Sequence, residues 1–150
     1  MAQISQKITT FLWFDNQALE AANFYCSVFN NSKVLNASPM VVTFELEGQK
    51  FMAINGGPTL KFTEAISLFV DCESQAEVDD FWTKLTANGG AESMCGWLKD
   101  KYGLSWQIIP NALMKLMSDK DQTKSQRVVQ AMLKMKKINV KALENAYNQK

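Results

Sequence analysis

The residue type that most limits the chemistry of this chain is one that it lacks, because none of its 150 residues is histidine. This excludes a Ser-His-Asp or Cys-His catalytic group, imidazole metal ligands and the usual general base near neutral pH. Acid–base chemistry would have to use carboxylates, lysine, tyrosine, cysteine or a bound ligand. The cysteines, Cys26, Cys72 and Cys95, are odd in number and widely spaced. Such cysteines indicate reduced thiols in a cytoplasm and not a disulfide framework.

Aromatic and polar side chains on the predicted strands suit a small-molecule site, since ligand clefts are mostly apolar with a few placed polar groups. The candidate ligand-binding residues are Trp13, Asn55, Trp97, Lys99, Tyr102, Trp106 and Gln107. Side chains alternate across a strand, so each tryptophan could instead pack between a sheet and its helices. Lys99 or Tyr102 would stand at the mouth of the cleft and hold an anionic ligand. A solvated, locally paired loop is the alternative interpretation of these two residues.

Cys95 is a candidate nucleophile because it precedes a glycine and has two lysines nearby in sequence, Lys99 and Lys101. A reactive thiol needs a cation that favours the thiolate. Without histidine, an unreactive cysteine is the competing interpretation, and Cys26 and Cys72 are predicted to be small buried residues.

The first half of the chain predicts a strand, a helix and three further strands. Residues 9–14 are β-branched and aromatic, and Asp15 or Asn16 is the predicted N-cap of a helix over residues 17–29. Its predicted inward face is Leu19, Ala22, Phe24, Cys26 and Phe29. Residues 33–37 form a weak strand pattern. Residues 41–47 alternate apolar and polar side chains, and a tight turn then leads into a strand over residues 50–55, so the pair predicts a hairpin.

The second half repeats this pattern up to Pro110. Residues 65–71 predict a strand, and Ser74 with Glu77 forms a capping box for a helix that ends near Asn88. Residues 97–103 predict a strand end and a turn, and residues 104–109 a last strand. Matching residues lie 55 to 57 positions apart, so the chain contains an internal repeat. Two such units, side by side, could curl their sheets around a shared cleft.

The last forty residues are predicted to be helical and are basic. Residues 111–150 contain 9 basic and 3 acidic residues, whereas residues 1–110 contain 7 and 12. Val128, Val129, Met132 and Leu133 have the spacing of an amphipathic stripe. Asn139 is the predicted cap of a last helix whose inward residues are Val140, Leu143 and Tyr147. The favoured interpretation is that this tail packs on an acidic body, its own or a partner's. Nucleic-acid binding is not favoured, because the tail has no interleaved aromatic residues and a single arginine.

The composition is that of a globular protein, with 47% hydrophobic and 21% charged residues. No apolar run approaches the roughly 18 residues that suggest a membrane span. Residues 1–7 are mostly polar and lack the apolar stretch of a signal peptide. We therefore expect no membrane association and a cytoplasmic location.

Several segments resemble one known family. They are residues 11–14 (FLWF), 20–25 (EAANFY), 51–58 (FMAINGGP), 61–67 (KFTEAIS) and 95–107 (CGWLKDKYGLSWQ). Together they are similar to the PhnB-like family of the glyoxalase/bleomycin-resistance/dioxygenase, or vicinal oxygen chelate, superfamily. The resemblance implies an α+β fold of paired βαβββ modules forming a cupped mixed sheet around a cleft, usually in a homodimer. A domain over residues 1–110, with modules at about 8–56 and 64–110, would precede a helical extension over residues 111–150.

The resemblance also bears on metals and cofactors. Metal-dependent relatives take His, Glu or Gln ligands from the first and last strands of each module. Here those positions correspond to Thr10 or Leu12, Met52, Ala65 or Ser67, and Gln107. These side chains form a poor divalent-metal site, because a thioether is soft and an amide oxygen is a single neutral ligand. PhnB-like proteins often carry the label demethylubiquinone methyltransferase, but no glycine-rich loop for S-adenosylmethionine follows the first strand. We expect neither a metal nor a cofactor.

Three functions remain open at this point. The first is a metal-free protein that binds an unidentified small molecule in an apolar, aromatic cleft. The second is a metal-dependent lyase, isomerase or dioxygenase, with Glu64 and Gln107 among its ligands. The third is an interaction protein that acts through its basic C-terminal helices. Whether the chain is an enzyme is left undecided.

Overall fold

A computed structural model of the chain describes residues 6–149. Residues 1–5, which belong to the segment expected to lack a signal peptide, and Lys150 lie outside the described residues. The chain divides into two compact units at residues 62 and 63. Each unit holds a four-stranded mixed sheet and helices, so the predicted α+β class is confirmed. None of the helices within residues 6–149 combines the length and apolar composition needed to cross a bilayer.

The first unit has one helix and four strands in the predicted order. They are β1 (Thr10–Phe14), α1 (Ala18–Val28), β2 (Lys33–Ala37), β3 (Val41–Leu46) and β4 (Gln49–Asn55). The sheet order is β1-β4-β3-β2, with β1 parallel to β4 and the other pairs antiparallel. Glu47 and Gly48, which join β3 to β4, both have positive φ, at 50° and 80°. Two such residues make the turn that suits a two-residue hairpin, and the predicted hairpin is confirmed.

Helix α1 packs on the sheet through a different face from the one predicted. Its buried residues are Ala18, Ala21, Ala22, Tyr25 and Val28. Of the predicted inward set only Ala22 and Phe29 are buried, whereas Leu19 is exposed and Cys26 is partly buried. The alanines let the helix lie close to the sheet, and the ring of Tyr25 lies 6.3 Å from that of Phe44. The apolar spacing of residues 17–29 was too irregular to fix the helix's rotation.

Helix α1 begins with a cap that comes from a distant strand. Its N-cap residue, Gln17, makes no side-chain cap bond. The amide of Ala18 instead donates to the Oδ1 of Asn55 at 2.8 Å. The predicted caps, Asp15 and Asn16, are therefore wrong. The orphan donor of the first turn is satisfied by a residue 37 positions away, which local sequence patterns do not show.

The second unit repeats the topology of the first. Its elements are β5 (Ser67–Cys72), α2 (Gln75–Thr86), β6 (Ala91–Glu92), β7 (Trp97–Lys99) and β8 (Ser105–Pro110), with sheet order β5-β8-β7-β6. Strand β5 is parallel to β8, as β1 is to β4. The hydroxyl of Ser74 accepts from the amide of Glu77 at 3.2 Å, so the predicted cap of α2 is confirmed. The internal repeat is thus a structural repeat.

Three C-terminal helices complete the second unit: α3 (Asn111–Met117), α4 (Gln122–Met132) and α5 (Val140–Tyr147). Their apolar cluster, with the end of β8, is Ile109, Leu113, Val128, Ile138 and Leu143. Asn139 caps α5 as predicted, accepting from the amide of Ala142 at 2.9 Å. The amides of Cys95 and Gly96 donate to the carbonyls of Met135 and Lys136, each at 2.8 Å. The tail is therefore tied to the sheet by backbone bonds as well as by apolar packing.

Candidate functional site

The sheet of the second unit has one face that packs on α2 and one open face. Residues paired in register share a face, so Lys99, Ser105 and Ser67 form one row across β7, β8 and β5. Trp97, Gln107 and Phe69 form the next row on the same face. We call these two rows the open face of the second unit. Three of the predicted site residues, Trp97, Lys99 and Gln107, are brought together there.

Polar contacts link the two rows. The side-chain amide of Gln107 donates to the hydroxyl of Ser67 at 2.9 Å. Phe69, beside Gln107, is 51% exposed, and Trp97 on its other side is partly buried. The face thus presents one oriented amide between two aromatic rings, the combination of apolar surface and placed polar group that small ligands use.

The other row carries the charge of the site. The Nζ of Lys99 forms an ion pair with the Oε1 of Glu64, which comes from the segment before β5. The hydrogen bond from Lys99 lowers the pKa of the Glu64 carboxyl below its usual value. Ser105, which pairs in register with Lys99 and Ser67, is buried at 1% exposure, and its hydroxyl has no hydrogen-bond partner among residues 6–149.

The opposite face of the sheet holds Trp106, which sequence analysis placed in the site. Trp106 is 2% exposed, and its indole donates to the Oδ2 of Asp100 at 2.9 Å. It pairs in register with Leu98 and Leu68, on the side of α2. The structure therefore places Trp106 in the interior instead of on the open face, because strand alternation puts it opposite its neighbour Gln107.

Tyr102 lies in the turn between β7 and β8. Its amide donates to the Oδ1 of Asp100 at 2.8 Å. The Nζ of Lys101 lies 5.4 Å from the centre of its ring. This local pairing matches the loop interpretation of this segment, while Lys99 belongs to the open face.

Trp13 and Asn55 belong to the first unit, and both have structural contacts there. The indole of Trp13 donates to the carbonyl of Gly57 at 2.9 Å, and a Cβ at Gly56 would lie 2.3 Å from the Trp13 ring. Asn55 holds the start of α1 through Oδ1, and its Nδ2 donates to the carbonyl of Pro39 at 3.0 Å. The two glycines after β4 therefore leave room for the Trp13 ring and accept its hydrogen bond, and Asn55 caps the start of α1.

The structure corrects the register of the positions that the resemblance assigned to metal ligands. Thr10 pairs with Phe51 and Leu12 with the buried Ala53, so both lie on the helix side of β1. Met52 pairs instead with Phe11. The register was uncertain because the matching residues of the two repeats are offset by different numbers of positions.

In the second unit, Ala65 precedes β5, and Ser67 is the residue on the face of Gln107. The carboxylate of Glu64 already forms an ion pair with the Nζ of Lys99. Within residues 6–149, no group of three His, Cys, Asp or Glu side chains could hold a metal ion. The amide and hydroxyl of the open face and the thioether of Met52 do not fit a divalent cation, which prefers carboxylate, imidazole or thiolate ligands.

The cysteines differ in their surroundings. Burial raises the pKa of the Cys72 thiol to about 12, helped by Glu77 and Asp71. Burial, with a contribution from Glu45, also raises the pKa of Cys26. Cys95 has a positive φ of 61° at the joint that holds the C-terminal helices. Cys72 is buried as predicted, whereas Cys26 is only partly so.

The C-terminal helices have a surface groove of their own, of about 630 Å³. Polar side chains of α4 line it, with Arg127 and Lys134 as its charged residues. The guanidinium of Arg127 donates to the carbonyl of Gln149. The groove lies on the helices and not on the sheet, so it is separate from the residues that the motifs singled out.

Sequence analysis did not name Phe69 and Ser105, which lie in the two rows of the open face. Residues 65–71 are almost uniformly apolar, so they gave no alternation from which the exposed side of β5 could be read. Ser105 sits in the quoted motif, but only the pairing of β8 with both neighbours shows that it lies between Lys99 and Ser67.

Comparisons with known proteins agree with the fold. The sequence profile of the family described as 3-demethylubiquinone-9 3-methyltransferase matches residues 6–109. A PhnB protein from Bacillus cereus, described as a 3-demethylubiquinone-9 3-methyltransferase, shares 40% identity with a TM-score of 0.64. That alignment covers 70% of this chain and 99% of the other. Among curated proteins, none matches this sequence.

Two more distant structures share the fold. A protein from Pseudomonas aeruginosa is 19% identical, with a TM-score of 0.58, over 71% of this chain and 98% of its own. The fosfomycin resistance protein FosX from Listeria monocytogenes, solved with Mn(II) and sulfate, is 15% identical, with a TM-score of 0.53. That match covers 69% of this chain and 88% of the other.

Proposed function

The chain belongs to the PhnB-like family described as 3-demethylubiquinone-9 3-methyltransferase, within the vicinal oxygen chelate superfamily, and from this premise we propose that it binds a small aromatic or amphipathic molecule without a metal ion. The binding surface is the open face of the second unit. Trp97, Lys99 and Gln107 contact the ligand there, together with Phe69.

The observation that carries this proposal is the hydrogen bond from Gln107 to Ser67, at 2.9 Å, between Phe69 and Trp97. The bond fixes the amide plane, so the remaining donor and acceptor of Gln107 point in defined directions. The flanking rings offer the apolar area that a ligand would cover. Phe69 is 51% exposed next to this amide, so its ring is available to contact a ligand that the amide binds.

Donor chemistry favours a metal-free site over the metal-dependent enzyme. FosX was solved with Mn(II), but at 15% identity this likeness supports the fold alone. In the sheet of the first unit, Phe11 pairs with Met52. The corresponding pair in the sheet of the second unit is Phe69 and Gln107. The first pair offers no oxygen and the second offers only the amide of Gln107, whereas catalytic zinc usually needs about three protein ligands.

Methyl transfer, which the family's description names, finds little support in these residues. The connection from β1 to α1, residues 15–17, contains no glycine. A glycine-rich turn at that position is what lets a backbone approach a nucleotide-like cofactor closely. We therefore propose binding, and not methyl transfer, as the activity of the open face.

We also propose that the protein works as a homodimer, as the resemblance implies. Each sheet carries a half-exposed phenylalanine on its edge strand, Phe11 on β1 and Phe69 on β5. Exposed apolar groups on edge strands favour association with a second surface.

Native mass spectrometry of untagged protein, purified without chelator, tests oligomeric state, metal and ligand together. We expect a metal-free species of twice the chain mass that carries an organic adduct or accepts one. A stoichiometric divalent metal on the purified protein would contradict the metal-free site and support the enzyme.

A pair of matched variants tests the location. Phe69→Ala and Met114→Ala each remove a side chain that is about half exposed, at 51% and 52%, the second on α3 away from the sheet. With 2-naphthamide as a neutral aromatic probe, we expect Phe69→Ala to weaken binding about fivefold, since aromatic contacts contribute about 1 kcal/mol, and Met114→Ala to leave it unchanged. Equal effects of the two variants would place binding elsewhere.

A further inference from the structure

We infer that the row of Lys99, Ser105 and Ser67 is an anion subsite closed by the side chain of Glu64, so that the ligand of the open face is an aromatic molecule carrying a carboxylate or a similar anionic group. This rests on the proposed function and specifies its ligand class. Glu64 acts as an internal stand-in for the anionic group of the ligand, which displaces it.

The position of the ion pair follows from the strand order. Glu64 enters from the chain segment before β5, whereas Lys99 lies on β7, and β8 runs between those two strands. Strands β5 and β8 both begin at the pair of Ser67 and Ser105, so Glu64 reaches Lys99 from just outside this end of the sheet. The residue of β8 in register with Lys99 is Ser105. Lys99 and Ser105 are therefore cross-strand neighbours on the open face, so an anion held by Lys99 can lie beside the Ser105 hydroxyl.

The hydroxyl of Ser105 gives an independent reason to expect an anionic oxygen at this place. It is buried and has no hydrogen-bond partner among the described residues. A buried donor without a partner destabilises the folded protein, because it has lost its hydrogen bonds to water and gained none. Buried polar groups in native proteins rarely lack a hydrogen-bond partner, and a group without one can be the place where a functional ligand binds. A ligand oxygen beside Lys99 would satisfy this hydroxyl.

The ion pair is suited to displacement because it is largely solvated. The side chains of Lys99 and Glu64 are 44% and 59% exposed. Ion pairs at such exposure contribute little to stability, because water and salt screen the two charges. An incoming carboxylate would leave Lys99 with a counter-ion and would free Glu64 to water. Replacing Glu64 by the carboxylate of a ligand at Lys99 therefore costs little, and the ligand gains a contact with the hydroxyl of Ser105.

The second row then accommodates the aromatic part of the same ligand. Residues two apart on a strand lie about 6.6 Å apart, which is the spacing between the Lys99 row and the Gln107 row. A bicyclic aryl carboxylate spans that distance, with its carboxylate at Lys99 and its rings over Gln107, between Phe69 and Trp97. The row of Lys99, Ser105 and Ser67 therefore selects the charge of the ligand. The row of Trp97, Gln107 and Phe69 selects its shape.

Calorimetric titration with three probes of one shape tests the inference. The probes are 2-naphthoate, the neutral 2-naphthamide and the cationic 2-naphthylmethylamine, each titrated into wild type, Lys99→Gln, Glu64→Gln and Ser105→Ala. Lys84→Gln is the matched control, since Lys84 is also about half exposed and paired with a carboxylate, Asp80, at 2.9 Å on α2.

We expect wild type to bind 2-naphthoate more tightly than the other two probes. Lys99→Gln should weaken 2-naphthoate about tenfold, because a charge-assisted bond is lost, and leave 2-naphthamide within about twofold. Glu64→Gln should strengthen 2-naphthoate about three- to fivefold, the range of an exposed ion pair. Ser105→Ala should weaken 2-naphthoate about threefold without lowering the thermal midpoint, because the removed hydroxyl had no partner. Lys84→Gln should change nothing.

Equal binding of 2-naphthoate and 2-naphthamide would overturn the anion subsite and leave the proposed small-molecule binding intact. Unchanged or weaker binding of 2-naphthoate by Glu64→Gln would overturn the displacement of Glu64. Failure of all three probes to bind wild type at millimolar concentration would overturn this inference and count against the proposed function as well. Because Lys99 and Glu64 are about half exposed, circular dichroism of their variants is expected to match wild type.

Discussion

The indole of Trp106 and the carboxylate of Asp100 form a hydrogen bond of 2.9 Å in the interior of the second unit. The other carboxylate oxygen accepts from the amides of Tyr102 and Leu104, at 2.8 and 3.1 Å. One buried side chain thus ties the turn between β7 and β8 to the core. The residues that flank this turn, Lys99 and Ser105, are held in register as a result.

Replacing Asp100 should therefore destabilise the protein. Asp100→Asn leaves an amide facing donors that a carboxylate accepted, and we expect a loss of about 2–3 kcal/mol in the free energy of unfolding. Urea denaturation followed by circular dichroism measures it. The control is Asp80→Asn, which removes an exposed i,i+4 pair with Lys84 and should cost less than about 0.5 kcal/mol. Similar losses of unfolding free energy for the two variants would show that the buried hydrogen bonds of Asp100 contribute no more to stability than the exposed ion pair of Asp80.

Gly96 is the second position where a small change should have a large effect. Its φ is +85°, and a Cβ there would lie 2.7 Å from the Cδ1 of Ile109 and 3.1 Å from the Cγ1 of Ile138. Gly103 has a similar φ of +88° with nothing within 4 Å. We expect Gly103→Ala to cost about 1 kcal/mol from backbone strain and Gly96→Ala to cost about 2 kcal/mol more from overpacking. Equal thermal shifts would contradict the packing of the C-terminal helices against this glycine.

The thiols should react in the order set by burial and pKa. The thiolate is the reactive form, and the Cys72 pKa of about 12 leaves almost none of it at pH 8. With iodoacetamide and peptide mass spectrometry, Cys72 should label more slowly than Cys26, whose pKa is raised less and which is only partly buried. In urea the two rates should converge. Labelling of native Cys72 as fast as that of Cys26 would contradict the burial of β5's last residue.

The hydrogen bond from the Tyr147 hydroxyl to Asp119, at 2.6 Å, predicts a pH dependence of stability. The bond lowers the pKa of Asp119 and raises the pKa of Tyr147 relative to their ordinary values. The Asp119 contribution is present above about pH 3.9 and is lost as the pH falls through the lowered pKa. The Tyr147 contribution is present below about pH 10 and is lost as the pH rises through the raised pKa.

The variant Tyr147→Phe should therefore unfold at lower urea than wild type near neutral pH, and the difference should shrink toward pH 3. Unfolding midpoints measured at several pH values check this. A difference that stays constant from pH 3 to pH 7 would mean that the packing of the ring, and not the hydrogen bond, is what the variant loses.

Local patterns predicted much of this fold because they depend on neighbouring residues. The alternation in β3, the two-residue turn at Glu47 and Gly48, and the cap at Ser74 are short-range features, and all are confirmed. The start of α1 was not predictable in this way, because its cap is Asn55, 37 residues away. Strand β6 has two residues and was too short to leave a pattern.

The candidate site depended on pairing that is not local. Trp97, Lys99 and Gln107 were named from their types, but which face of the sheet each occupies follows from the register of β8 with β5 and β7. That register places Trp106 in the interior and places Phe69 and Ser105 on the open face. A one-residue change in register moves every side chain to the other face, which is why the sequence could name the strand and not the surface.

The most direct test of the central claim is an NMR titration of 15N-labelled protein with 2-naphthamide, with and without EDTA. The indoles of Trp97 and Trp106 and the side-chain amide of Gln107 are distinct reporters on the two faces of one sheet. We expect shifts of the Trp97 indole and the Gln107 amide, with little change at Trp82 and Trp106, and no effect of EDTA. Shifts confined to the groove of α4 at Arg127, or binding that EDTA abolishes, would contradict it.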